Sequence, residues 1–407
     1  MLPEGWKRWK VSEVLQRVSN PVDVDPSKAY RQIGIRSHGK GLFYKELVLG
    51  SDLGNKRVFH IKSGCFIVNI VFAWEQAIAK TTEAELGMIA SHRFPMFEPK
   101  KNFCDIDFIL YYFKTKKGKY LLELASPGGA GRNKTLGQSE FLKLDLLLPH
   151  VSHQKKIAQI LSTWDNAISA TERLLENSQQ RKKALMQQLL TGKKRLPGFE
   201  GEWSTVKLGD LGDTYGGLTG KTKEDFGSGE PYITYMSVFA DGAIIPDKFD
   251  YVKLKEGEKQ HSVEYGDILF TTSSETPEEV GMASVMLERL PLKVYLNSFC
   301  FGFRLSSLDV LIPEYAKYYM RSEGIRRAIA NLAQGATRYN LSKRQLLKIS
   351  LHLPCVSEQQ AIANVLTTAD QEIDAIQKRL DHLKQEKKAL MQQLLTGKRR
   401  VKVEEAA

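Results

Sequence analysis

The stretch Lys182-Lys183-Ala184-Leu185-Met186-Gln187-Gln188-Leu189-Leu190-Thr191-Gly192-Lys193 occurs twice, returning unchanged at Lys387–Lys398. A twelve-residue identity is beyond coincidence, and its offset of 205 residues is about half of the 407-residue chain. At that offset Pro149–Lys193 aligns without a gap to Pro354–Lys398, with 25 of 45 positions identical. The beginnings of the two halves also correspond: Trp6, Val11, Glu13 and Val14 match Trp203, Leu208, Asp210 and Leu211. The chain is therefore an internal duplication. Each half reads as an opening tryptophan, a variable region (about 15–148 and 212–353) and a shared closing segment. The variable regions resemble each other only near their ends, where Leu136, Lys143 and Leu144 match Leu341, Lys348 and Ile349.

The shared segments predict long helices. In the first, a seam runs through Ile157, Leu161, Trp164, Ile168, Thr171, Leu175, Ser178, Lys182, Leu185 and Leu189. The second copy continues it through Ile362, Leu366, Ala369, Ile373, Ile376, Leu380, Leu383, Lys387, Leu390 and Leu394. Steps of four and three residues are the heptad pattern of a coiled coil. Pro149 and Pro354 precede the helices, Ser152 and Ser357 are the expected N-caps, and Gly192 and Gly397 suit the C-terminal ends. A helix of about 40 residues spans roughly 60 Å. Each seam needs a partner, and the other copy in the same chain supplies one. Two similar units packed about a pseudo-two-fold axis would make the helices antiparallel. The plainer alternative is two amphipathic helices, each packed on its own domain.

The fold class expected is α+β: two globular domains joined by two long helices in an antiparallel intramolecular coiled coil. The boundaries are 1–148 for the first domain and 149–193 for the first helix. A linker and second domain follow at 194–353, the second helix at 354–398 and a basic-then-acidic tail at 399–407. Strand-like stretches are Cys65–Phe72, Phe108–Phe113, Pro231–Val238 and Asp267–Thr272, and short helices are expected near Ile312–Leu332.

Apolar residues make up 42% and charged residues 26%, which excludes a disordered chain or a low-complexity fibre. The net charge of +12 favours a polyanionic partner. Cys65, Cys104, Cys300 and Cys355 form no CxxC pair, the N-terminus carries no apolar signal region, and no run is long enough to span a bilayer. A cytoplasmic protein with no membrane association is expected.

Catalytic motifs are missing. Gly220-Lys221-Thr222 lacks the earlier glycine of a phosphate-binding loop, because the residue five before Gly220 is Tyr215. Pro246-Asp247 is not followed by the acid-x-Lys of a metal-dependent nuclease. Asn20-Pro21 continues as Val22-Asp23, unlike an adenine methyltransferase motif, and the eight histidines form no HxxxH pair. No catalytic residue, metal site or cofactor is assigned to the chain itself.

Nucleic-acid chemistry is present. Binding needs cations for phosphates and forked or amide side chains for base edges. Near the end of the first variable region, Gly128–Leu136 carries Arg132, Asn133 and Lys134; its counterpart Gln334–Leu341 carries Arg338, Tyr339 and Asn340. Both loops sit just before the shared segment. Further candidates are Arg31, Arg36, His38 and Lys40 in the first half, and Lys221, Lys223, Thr272 and Ser273 in the second. Lys114–Lys117 and Arg326-Arg327 could neutralise phosphates or simply form solvated faces.

The arrangement resembles the specificity (S) subunits of type I restriction-modification enzymes. The resemblance rests on the half-chain repeat, the openings Gly5-Trp6 and Gly201-Glu202-Trp203, and the closing Leu-Leu-Thr-Gly-Lys at Leu189–Lys193 and Leu394–Lys398. It rests also on Pro149, Ser152, Gln154 with Pro354, Ser357, Gln359, and on Gly335-Ala336-Thr337-Arg338; the first loop departs from that last form. The resemblance implies two target recognition domains, each reading half of a split, asymmetric double-stranded DNA sequence. It implies no catalysis by the chain itself. The partners implied are two methyltransferase subunits, which use S-adenosylmethionine, and two ATP-dependent translocase-nuclease subunits. A two-headed DNA-binding regulator without catalytic partners, and a scaffold whose coiled coil binds only proteins, remain alternatives. Co-purification with a methyltransferase, and salt-dependent selective DNA binding, discriminate among them.

Overall fold

Both shared segments are single α-helices of 39 residues, Val151–Leu189 and Val356–Leu394. Every predicted seam residue is buried or half-buried, whereas the intervening positions are mostly exposed. The computed structural model describes residues 3–54, 57–128, 134–335 and 337–403. The chain divides into two units, Met1–Glu172 with Lys378–Ala407, and Arg173–Gln377. Each unit thus holds the first half of one long helix and the second half of the other.

In the first unit Lys387 pairs with Asp165, and Lys384 lies 2.8 Å from Glu172. As one chain number rises the other falls, so the helix halves are antiparallel. Ile157 and Leu161 share one core with Leu394 and Leu395. The second unit repeats this. Lys182 pairs with Asp370, Ser178 donates to Glu372 at 3.3 Å, and Leu189 and Leu190 share a core with Ile362 and Leu366. The seam lysines are held in a polar cluster duplicated between units. The Tyr111 hydroxyl donates to Asp165 at 2.6 Å with Lys387 over its ring, and Tyr318 donates to Asp370 at 2.6 Å with Lys182 over its ring. A polar residue at a seam position costs stability but specifies register.

The variable regions share one topology despite their divergent sequences. In the first unit an antiparallel sheet runs in the order Leu15–Val18, Met96–Pro99, Phe66–Val68, Ile78–Lys80. The second unit has the same order in Gly212–Gly216, Cys300–Leu305, Ile268–Thr271, Ala283–Val285. A second four-stranded sheet in each unit has one parallel pair at its centre, Ala29–Ile35 beside Ile89–Ser91 and Phe226–Ile233 beside Val294–Leu296. Two-stranded ribbons, Lys7–Lys10 with Asp145–Leu148 and Ser204–Lys207 with Ser350–Leu353, lead into the long helices.

The glutamine of the repeated Pro-x-x-Ser-x-Gln segment is structural. Gln154 is fully buried; its carbonyl accepts from the Asp105 amide at 3.0 Å and its amide donates to Phe103 and Pro149 carbonyls. Gln359, also buried, accepts from the Ile312 amide at 3.1 Å and donates to Val310 and Pro354. Each docks the start of a long helix against the start of a domain helix, Ile106–Lys114 or Pro313–Tyr319.

Several local expectations are corrected. Phe108–Phe113 lies within the helix Ile106–Lys114, not a strand; Asp105 caps it by accepting from the Phe108 amide. A short apolar run buried on most sides has no period to tell helix from strand. Ser152 and Ser357 stand inside the first turns. The carbonyls of His150 and Cys355 accept the first helical bonds, so those residues hold the cap position. The strand expected over Pro231–Val238 ends at Ile233, where Thr234 caps the helix Tyr235–Ala240. Of Cys65–Phe72, Phe66–Val68 is strand. The C-terminal glycines behave as expected: Gly192 and Gly397 adopt φ of +70° and +72°, and the amides two residues on return to Gln188 and Gln393.

Candidate nucleic-acid interface

The two loops singled out by sequence are pinned in the same way. The Leu136 amide donates to the Ile70 carbonyl at 2.8 Å, and the Leu341 amide to the Thr272 carbonyl at 2.9 Å. Ile70 and Thr272 each follow the strand at the centre of their sheet, so the loops emerge from equivalent places.

In the first unit the structure gathers three segments there. The hairpin tip Arg36–Gly41 packs on the turn Phe72–Gln76. His38 and Gly39 amides donate to Glu75 and Gln76 carbonyls at 2.7 and 2.8 Å, and the Ser37 hydroxyl donates to the Glu75 carboxylate at 2.9 Å. His38 holds φ +60°, a left-handed conformation that histidine tolerates better than bulky branched residues. Lys134 lies 5.7 Å over the Trp74 ring, beside this turn. Arg36 stacks on Phe43 and donates to the Leu42 carbonyl; Lys40 is exposed. Arg31 lies five residues back along its strand, about 16 Å from Arg36. It is exposed at a register irregularity. Arg132 and Asn133 lie outside the described residues.

In the second unit Ser273-Ser274 pairs with Tyr339-Asn340 as a short ribbon. The Arg338 Nε donates to the buried Ser273 hydroxyl at 3.1 Å, with the guanidinium over the exposed Phe299 ring. Among the described residues the other two guanidinium nitrogens have no hydrogen-bond partner, which leaves a forked edge. The Asn340 side chain donates back to the Arg338 carbonyl at 3.4 Å, and Thr272 is half-buried through its backbone pairing.

Lys221 departs from expectation. Its side chain is 4% exposed, and its ammonium pairs with Glu258 at 2.6 Å and donates to the Lys253 carbonyl. That contact holds the Glu258 carboxyl down to about 2. The charge is spent on fastening loop 219–225, and Lys223 is its exposed cation. Arg326 likewise donates to the Glu278, Val280 and Gly281 carbonyls, and burial lowers its pKa to about 10. Arg327 pairs with Glu323.

A third loop, absent from the sequence-based expectations, joins each cluster. The Ile70 amide donates to the Arg93 carbonyl at 3.0 Å, and the Thr272 amide to the Phe299 carbonyl at 2.9 Å. Its only sequence signals were Ser91 and Asn297, each able to start a side-chain-capped turn.

Each cluster thus presents rigidly held cations, hydroxyls and aromatic faces on backbone-anchored loops, the chemistry of phosphate and base-edge contact. A profile for the family described as "Type I restriction modification DNA specificity domain" matches residues 46–177 and 200–385. The chain belongs to this family. The specificity domain occurs twice, once in each repeat. The chain is similar to the type I restriction enzyme MjaVIII specificity subunit of Methanocaldococcus jannaschii, 23% identical over 427 residues, covering 98% of this chain and 94% of that one. Its fold is that of the HsdS subunit from Thermoanaerobacter tengcongensis, with a TM-score of 0.55 and 19% identity over 97% of this chain and 98% of that one. A chain solved in work on complex assembly and conformational transition of the type I R-M system gives 0.58 and 19% over the same shares. Among the described residues of this specificity-family chain, no helix is long and apolar enough to cross a membrane.

Proposed function

We propose that the chain is the DNA-reading subunit of a type I restriction-modification complex, non-catalytic in itself, and that it binds a bipartite, asymmetric duplex target. One unit reads each half-site. The observation carrying this reading is a common framework with unlike tips. Strand order, the buried glutamines and the amide pins recur, while the exposed residues they present differ. Unlike tips on like frames suit two unlike half-sites. In the first unit the residues proposed to contact DNA are Arg31, Arg36, His38, Lys40 and Lys134, together with Arg132 and Asn133 outside the described residues. In the second they are Lys223, Thr272, Arg338, Tyr339 and Asn340, with Lys221 supporting its loop and the buried Ser273 holding Arg338.

The paired long helices set the spacing between half-sites. The subunit positions two methyltransferase subunits, which carry S-adenosylmethionine, and two translocase-nuclease subunits, in the cytoplasm. Similarity to a chain from a study of type I complex assembly supports a partnered role.

Selection of bound duplexes from a randomised library tests the reading. Two dissimilar half-sites at fixed spacing are expected. Removing one heptad from either long helix shortens it by about 10 Å, or three base pairs, and is expected to change the preferred spacing or abolish binding. An unchanged spacing preference would refute the spacing role, and binding indifferent to sequence would refute the function.

A further inference from the structure

The third loop has the same backbone in both units. In the first, the Ser91 hydroxyl accepts from the Arg93 amide at 3.3 Å, and the Phe94 amide closes the turn on the Ser91 carbonyl at 2.9 Å. In the second, the Asn297 side-chain oxygen accepts from the Phe299 amide at 2.9 Å, and the Cys300 amide closes on the Asn297 carbonyl at 3.0 Å. The carbonyl at each tip is then bound by the amide of Ile70 or Thr272, whose own carbonyl holds Leu136 or Leu341. Three chain segments remote in sequence are stitched by one pattern of bonds. It makes Arg93 and Phe299 structurally equivalent.

The two side chains are opposite in chemistry. Arg93 is an exposed cation with a forked donor edge. Phe299 leaves 57% of its surface in water, although its turn is tied at both ends and its neighbour Cys300 is buried. An exposed aromatic on a fixed turn, with Arg338 across its face, forgoes burial that a small polar residue would not need. Folding gains little from an aromatic left this exposed, whereas contact with a ligand would bury it.

We infer that Arg93 and Phe299 are equivalent specificity-determining positions, one for each half-site. The inference rests on the DNA-reading function proposed above. Arg93 offers its fork to a base edge, with guanine presenting the matching pair of acceptors. Phe299 offers an apolar face, to a thymine methyl or an unstacked base.

The test uses the full chain and the duplex-library selection, with Arg93→Ala, Phe299→Ala and Arg338→Ala, alone and with Phe299→Ala added to Arg338→Ala. Both tip residues are exposed, so melting temperatures within about 2 °C of the parent are expected. Arg93→Ala should relax one or two positions of one half-site only. Phe299→Ala should relax positions of the other half-site only, with affinity for the selected duplex falling about ten-fold. Phe299→Ala should still weaken binding when added to Arg338→Ala. Three results would overturn the inference while leaving the DNA-reading function intact: unchanged half-site preferences with affinity within two-fold; a uniform loss with a shallower salt dependence, which marks a phosphate contact; or no added effect of Phe299→Ala on Arg338→Ala, which marks Phe299 as a support for Arg338. A parent chain that selects no sequence would instead defeat the function itself.

Discussion

The junction between long helix and opening tryptophan is built twice, and the two versions differ in what closes them. In the second unit the chain runs continuously from Gly192, which lies against Trp203, to the strand Ser204–Lys207. Arg195 closes this turn with a two-pronged bond to Glu358, at 2.5 and 2.6 Å, and a third bond to the Gly201 carbonyl. The Glu358 side chain is wholly buried. In the first unit the residues that meet are remote in sequence, Glu4 and Arg400 being 396 positions apart. Gly397 lies against Pro3 and Trp6, and Arg400 reaches Glu4 at 2.7 Å with both side chains largely in water. His153 occupies the place of Glu358 in the repeat. The packing of glycine on tryptophan is kept, whereas the ion pair is buried in the second unit and exposed in the first. A buried carboxylate depends on its partner, and an exposed one hardly notices its loss.

The largest effects should ignore that difference. Gln154→Ala and Gln359→Ala each leave a buried amide and two carbonyls without partners, and each should cost roughly 3 kcal/mol in denaturant unfolding. Equal losses show that the two frameworks are energetically the same; a loss confined to one unit would separate them. The next effect should expose the difference. Glu358→Ala strands Arg195 and should lower the melting temperature by about 5 °C or more, whereas Arg400→Ala should leave it within about 1 °C. Similar shifts for both would mean that burial does not set the value of the pair.

The smallest effect is a pH dependence in the second unit. Glu258 is held at about 2, from an ordinary 4.5, chiefly by the hydrogen bond from Lys221. A lowered acid pKa adds stability that is complete above pH 4.5 and is lost as the pH falls from 4.5 towards 2. Melting curves of Glu258→Gln and the parent should differ above pH 4.5 and converge near pH 2. A constant gap across that window would show that the carboxylate charge is not what fastens the loop.

The paired helices were legible because a heptad repeat records a buried stripe in local order, one residue after another. Their caps were not. Serine is a better cap than histidine or cysteine on propensity alone. Here, however, the buried Gln154 and Gln359 fix where each helix starts, by bonds to residues about 50 positions away. The run Phe108–Phe113 reads as a strand in sequence for a related reason: near-complete burial erases the alternation that distinguishes the two elements. Within the candidate interface, the loops ending at Leu136 and Leu341 were visible through their composition and their shared place before the helices. Lys221 looked like a free cation in a glycine turn because Glu258 is 37 residues away. Arg93 and Phe299 gave no signal, since their equivalence lies in backbone bonds rather than residue types.

Duplication, helix length, seam and basic balance were all contained in the order of residues, because periodicity and identity are properties of a line. The match between the two variable regions, the spending of Lys221 and Arg326 on the fold, and the gathering of three distant turns around Ile70 and Thr272 were settled only in three dimensions. Hydrogen bonds between backbone groups are blind to side-chain identity, so a frame can be conserved in space after its sequence has ceased to show it.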